Sequence, residues 1–253
     1  MTQTQAQSAP QSSRLVSFLQ DLAASKVALT HKNFTDKLGQ LIDLTDSIAL
    51  SESLRGLSRI QFVSGSAPQL GLQEEFLQSR RGMIEFIARS FTPGAVALPF
   101  SLPKLDEAAL QDESTGYQPY LKFYALHQSD MEFRVQRLRL KIRQQVAGHS
   151  RELAQLVALD EALADALSAQ SRKLFAQIPR LLGSRFDYLR QQQFETNAAS
   201  KQNPQLWLEA DGWLQKFYRE MQGLLLAELD VRLQTVVGLV EAYEDATKNS
   251  TQC

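Results

Sequence analysis

From residue 117 to the C-terminus, apolar residues recur at three- and four-residue steps almost without interruption, and only three prolines, Pro119, Pro179 and Pro204, intervene. That spacing places the apolar positions along one face of a helix, so the stretch predicts three long amphipathic helices packed on one another. The first, over about residues 117 to 148, carries the stripe Tyr120, Phe123, Tyr124, His127, Met131, Val135, Leu138, Ile142 and Val146. Pro119 falls in its first turn, where the missing N–H costs nothing. Ser150 is placed to cap the second helix, whose stripe includes Leu153, Leu156, Leu163, Leu167, Leu174, Ile178, Phe186 and Leu189. Pro179 lies inside this helix with the apolar phase unchanged on either side, which predicts a kink and not a break. Asn203-Pro204 reads as the start of the third helix, which runs to about Ala246. Short connections favour antiparallel neighbours.

Upstream the periodicity comes in shorter pieces. Leu15, Phe18, Leu19 and Leu22 share one helical face; Asn33 can cap a helix through Phe34, Leu38, Leu41 and Ile42; Thr45 or Asp46 can open one holding Ile48, Leu50, Leu54 and Leu57. A fourth, from about Leu70, carries Leu72, Phe76, Met83, Ile84 and Ile87 and stops at Thr92-Pro93-Gly94. The fold class expected is therefore all-α: a 1–13 disordered lead, a small helical domain over 14–91, a Pro-rich and acidic connector over 92–116, and a long antiparallel three-helix bundle over 117–249.

Composition narrows the function. Charged residues make up 22% and the formal net charge is −1, so no global field draws the chain to nucleic acid or anionic lipid. No stretch approaches the roughly 20 apolar residues of a membrane span. The N-terminus lacks the basic and apolar regions of a signal peptide, and the one cysteine, Cys253, has no partner for a disulfide; both suit a cytoplasmic location.

Catalytic and metal signatures are missing. None of the three histidines has Glu three residues before it, as a carboxylate-bridged metal centre in a helical bundle requires, and H-E-x-x-H, nucleophile-elbow and phosphate-loop motifs are absent. No metal, cofactor or enzymatic role is expected. His127 and Asp130 lie three residues apart on one helix and have the spacing of a carboxylate-oriented histidine, although a packed ring on an apolar stripe is the plainer reading.

Charge along the first long helix is uneven. Between Phe133 and Arg151 stand six basic residues, Arg134, Arg137, Arg139, Lys141, Arg143 and Arg151, with no acidic one. They outline a strip for phosphate or nucleic acid, or else a solvated flank balanced by Asp160, Glu161 and Asp165 across the bundle. Aromatic residues that would stack bases are not interleaved with it. Trp207 and Trp213 are candidate partner anchors, or the closing residues of the core.

Leu41 to Ser51, Tyr120-Leu121-Lys122-Phe123-Tyr124, His127 to Glu132, and Leu156 with Leu159-Asp160 together resemble an uncharacterised all-helical proteobacterial family of about this length, a domain of unknown function. The resemblance covers most of the chain and brings no site residue with it. It implies an accessory of a cell-envelope machine. The function expected is that of a non-catalytic cytoplasmic interaction or scaffolding protein, binding protein partners or its own copies through long helical faces, with Leu140, Leu208 and Leu226 as surplus apolar positions. The alternative is a nucleic-acid or phosphate-binding protein using residues 134–151.

Overall fold

Pairing between the long helices sets the architecture. The computed structural model describes residues 14–22, 44–60, 62–63, 65, 71–92, 98–103, 116–196, 204–209 and 211–250. Within them run α1 (Arg14–Leu22), α2 (Leu44–Gly56), α3 (Leu72–Ser90), α4 (Gln118–Ala147), α5 (Arg151–Thr196) and α6 (Trp213–Ser250), with no strand among the described residues. The helix expected over Phe34 to Ile42 and the 1–13 lead lie outside the described residues.

Tyr117, just ahead of α4, meets Pro179, while Arg143 near the end of α4 meets Asp160, so α5 runs antiparallel to α4. Tyr120 meets Tyr218 and Arg139 meets Thr235, so α6 runs parallel to α4. The three pack pairwise as an up-down-up bundle. At 46 residues α5 is about 69 Å long. Ser150 caps it as expected, its Oγ accepting from Leu153 N at 3.2 Å.

The remaining described helices dress this bundle and share its core. Leu15 of α1 and Leu72, Phe76, Met83 and Ile87 of α3 belong to the same buried cluster as Tyr124, Ile142, Phe186 and Leu229. The boundary expected near residue 116 therefore separates no second core from the first among the described residues. The small helices are too short to bury an apolar face by themselves, and α4 to α6 offer the surface that completes them. α2 is the least embedded, with Ile48 and Leu54 of its apolar set exposed.

The third long helix begins later than Asn203-Pro204 indicated. Pro204–Trp207 forms one 3-10 turn, and α6 starts at Trp213. Six residues apart on one helix, Trp207 and Trp213 would point to different faces. The turn between them brings their rings to 5.9 Å, and it needs Gly212, where a Cβ would lie 2.3 Å from the Trp207 carbonyl oxygen.

A second close approach ties the N-terminal half to the bundle end. Gly65 N donates to the Gly148 carbonyl at 2.9 Å, and a Cβ on Gly148 would stand 2.9 Å from Gly65 Cα. Neither backbone can yield without breaking that bond. Gly148→Ala is expected to cost about 1–3 kcal/mol in urea unfolding. Gly238→Ala, with nothing within 4 Å of the added carbon, is expected to gain up to about 1 kcal/mol from helix propensity. Equal effects of the two substitutions would dismiss the Gly65–Gly148 contact as a constraint.

Candidate functional site

Pro179 removes one N–H from the middle of α5 and leaves the carbonyl four residues earlier, that of Phe175, without its helical donor. Gln128 of α4 supplies the replacement, donating from Nε2 to the Phe175 oxygen at 3.0 Å. The same amide nitrogen sits 3.1 and 3.0 Å from the two carboxylate oxygens of Glu228 on α6. Glu228 is fully buried and also accepts from the Tyr124 hydroxyl at 3.0 Å and from Arg232 at 3.0 and 2.8 Å. Arg232 in turn stacks over the Phe175 ring at 4.0 Å and pairs with Glu132. One buried carboxylate is thus matched by donors from two helices, and the same cluster mends the gap that proline opens in the third. Tyr124 loses its proton only well above the usual tyrosine range, first because it is buried and then because Glu228 is beside it.

His127 occupies a second enclosed position, between α3 and α4. Ser90 donates its hydroxyl proton to the Ile87 carbonyl at 2.8 Å, so its oxygen accepts from His127 Nε2, also at 2.8 Å. The ring therefore carries its proton on Nε2, and the buried Nδ1 has no hydrogen-bond partner. Phe123, Phe100 and Phe86 surround it at centroid distances of 4.7, 4.8 and 5.5 Å. Burial, with the Arg134 charge behind it, lowers the imidazole from 6.5 to about 4. Asp130 is not its partner, contrary to what the three-residue spacing allowed. The carboxylate pairs instead with Arg134 at 2.7 Å, because His127 points inward while Asp130 lies at the edge of the exposed face.

The basic strip does not survive as one surface. Arg134 takes Asp130, Lys141 takes Glu75 of α3, and Arg151 donates to the Ser58 carbonyl at 2.8 Å. Arg143 grips Asp160 of α5 through two bonds of 2.8 and 2.6 Å, and Arg139 reaches Thr235 of α6. Arg137 lies over the exposed Phe133 ring at 5.6 Å and has no carboxylate in ion-pair range among the described residues. α4 projects its side chains at 100° intervals, so Lys141, Arg143 and Arg139 serve three neighbouring elements. Trp207 and Trp213 are likewise not surface anchors. Both are buried, and with Phe194 and Phe186 they close one end of the core.

A cleft of about 850 Å³ opens between α4, α5 and α6, next to the Glu228 cluster. Its length, from Gln128 to Arg143 along α4, is about 22 Å. Leu163 and Leu167, expected in the buried stripe of α5, line this cleft half-buried, and Leu174 is exposed. Along α5 from residue 168 to 177 only Gln170 and Phe175 are even half-buried, so these turns are largely exposed just before Pro179 and touch the bundle through Phe175. Nothing in the periodicity distinguishes a leucine facing a cleft from one facing a core. Glu228 was more legible: it interrupts Leu224, Leu225 and Leu229 with an acid, and Arg232 follows four residues later.

A family model for a protein of unknown function, DUF3348, matches residues 1–245. The chain belongs to that family. No curated protein and no solved structure matches it. In this member of the family no group of three metal-ligating side chains gathers among the described residues, and no described helix is long and apolar enough to cross a membrane.

Two outcomes follow from these buried groups. His127 is neutral when folded and takes up its proton at ordinary pH only when unfolded, so its contribution is complete above about pH 6.5 and is lost as pH falls towards 4. About 3 kcal/mol of stability is expected to disappear over that window in urea titrations, and a His127→Gln variant should lack that share of the slope. Parallel pH profiles for the two proteins would refute the assignment. Glu228→Leu strands Arg232, Tyr124 and Gln128 together and is expected to cost about 3 kcal/mol or more, read from the urea midpoint. A loss below about 1 kcal/mol would show that the cluster is dispensable.

Proposed function

We propose that this protein is a non-catalytic interaction protein of the cytoplasm that docks an acidic amphipathic helix of a partner on the outer face of α4. The observation that carries this reading is a heptad stripe of exposed apolar residues, Leu126 at 48%, Phe133 at 62% and Leu140 at 56% exposure. Single exposed apolar side chains are ordinary, but three at seven-residue spacing fall on one face of α4 over about 21 Å. Lys122 and Arg137 flank the seam without a carboxylate in ion-pair range among the described residues, which suits an acidic partner. A second copy docked in parallel would set these cations against their own kind. The basic strip supports protein over phosphate, since Asp130, Glu75 and Asp160 already take Arg134, Lys141 and Arg143. A non-catalytic role agrees with the enclosure of His127 by three phenylalanines. The link to an envelope machine rests on the family resemblance alone.

The test combines Leu126→Ser, Phe133→Ser and Leu140→Ser in one chain. Each change is expected to shift stability by no more than about 0.5 kcal/mol, since the side chains are exposed. Capture from native cells, after nuclease and at raised salt, should recover from wild type a protein with an acidic amphipathic helix and lose it from the variant. Sedimentation of the wild type should give the 28.4 kDa monomer. Equal capture by both chains would reject this face, and a dimer abolished by the variant would assign it to self-association instead.

A further inference from the structure

The outer stripe of α4 borders a second helix. Ser129 and Gln136, each three residues after Leu126 and Phe133, form its shoulder on the side towards α5 and line the mouth of the cleft. Ala176 of α5 lines the same opening from the other side. Lys173 precedes Ala176 by three residues and Arg180 follows it by four, so the two cations share its ridge, one turn to either side. The Tyr117–Pro179 and Gln128–Phe175 bonds set the level: Lys122 and Leu126 lie between Tyr117 and Gln128, and Ala176 lies between Phe175 and Pro179.

Positive charge collects on this outer surface. From residue 166 to 186 α5 carries no acid. Lys122, Lys173 and Arg180 are exposed, and none has a carboxylate in ion-pair range among the described residues. The acids nearest along the two helices are engaged or offset. Asp130 takes Arg134, Glu132 takes Arg232, Asp187 takes Arg190, and Asp165 shares the α5 wall with Arg172. Ser129 and Ala176 are small, so a helix laid over them can approach both α4 and α5. Packed helix axes lie about 8–10 Å apart, and a helix seated on Leu126 and Phe133 therefore also reaches the α5 ridge.

We propose that the docking face of α4 continues across the cleft mouth onto α5, and that its occupant is a partner helix whose acidic flank lies over Lys122, Lys173 and Arg180. This rests on the reading of α4 given above and adds the polarity of the partner: apolar side on Leu126 and Phe133, carboxylates towards α5. Three cations brought together from two helices repel one another in the free protein, and carboxylates supplied by a partner relieve that repulsion. Exposed ion pairs are individually weak, so these cations set partner choice and salt dependence more than total affinity.

Fluorescence polarisation on the full chain tests this with a labelled helical peptide of about three heptads, Leu at positions a and d and Glu at e and g. A counterpart with Gln at e and g serves as the neutral probe. Wild type is expected to bind the Glu peptide saturably and the Gln peptide about fivefold more weakly. Lys173→Gln with Arg180→Gln is expected to bind the Glu peptide about fivefold more weakly, with a shallower salt dependence and the Gln peptide unchanged. Lys216→Gln with Lys248→Gln, two exposed cations of α6, should change neither. Lys173→Glu with Arg180→Glu should prefer a peptide with Lys at e and g, a reversal that a merely structural effect does not produce. Loss of both peptides from the Leu126, Phe133 and Leu140 serine variant, with full Glu-peptide binding by the Lys173 and Arg180 variants, would overturn the extension and leave the α4 face standing. No binding of either peptide to wild type would overturn both readings. An equal loss from the α6 control, or displacement of the Glu peptide by a thymidine oligonucleotide at equal affinity, would overturn the proposal as well.

Discussion

Placing one carboxylate inside a helical bundle is costly unless every lone pair finds a donor, and the way Glu228 meets that condition fixes how the long helices sit. Tyr124 and Gln128 approach it from α4, Arg232 from its own helix one turn on, and Gln128 reaches past it to the Phe175 carbonyl on α5. A slide of α4 against α6 by one helical turn would separate Tyr124 from Glu228, and a slide of α5 would reopen the carbonyl that Pro179 exposes. Apolar packing alone tolerates such slips, because leucine rows are alike from turn to turn. Directional bonds to a buried charge are not.

The proline belongs to the same constraint. Its effect is spread over two contacts on opposite sides, Gln128 on the Phe175 carbonyl and the Tyr117 hydroxyl on that of Pro179 at 2.6 Å. Tyr117 also packs against Gly183, where a Cβ would come within 2.9 Å of its ring. The C-terminal stretch of α5 is thereby drawn onto the bundle, with Ile178, Leu182 and Phe186 buried, while the turns before the proline are largely exposed. The cleft is the consequence of that difference along one helix. It is a packing deficit placed beside unevenly shared ion pairs.

The two buried polar positions serve different ends. Around Glu228 the buried carboxylate has donors from two helices, with Arg232 shared between it and Glu132, which suits a structural register. At Arg139 the carboxylate is shared: Asp160 lies 4.0 Å away and is held by Arg143, which also meets Glu161. His127 falls with the structural group. Ser90 orients it, and the strap at residues 98–103 is held over it by Leu102 N donating to the Ser90 carbonyl at 2.8 Å.

The sequence by itself determined the helical class, the three long helices and most of their buried stripes, because a 3.6-residue period is a local property that a single helix imposes on its own residues. It also determined the cap at Ser150 and the continuity of α5 through Pro179, both of which depend on residues within one or two turns. Only the tertiary structure decided which cations of the 134–151 strip are paired and by which element, that Asp130 turns to Arg134 and not to His127, and that Trp207 and Trp213 close the core. It also decided that Leu163 and Leu167 face a cleft. Partners such as Asp160, Ser90 and Glu75 are 17 to 70 residues away from the groups they meet and on another helix, and no periodic pattern carries that distance.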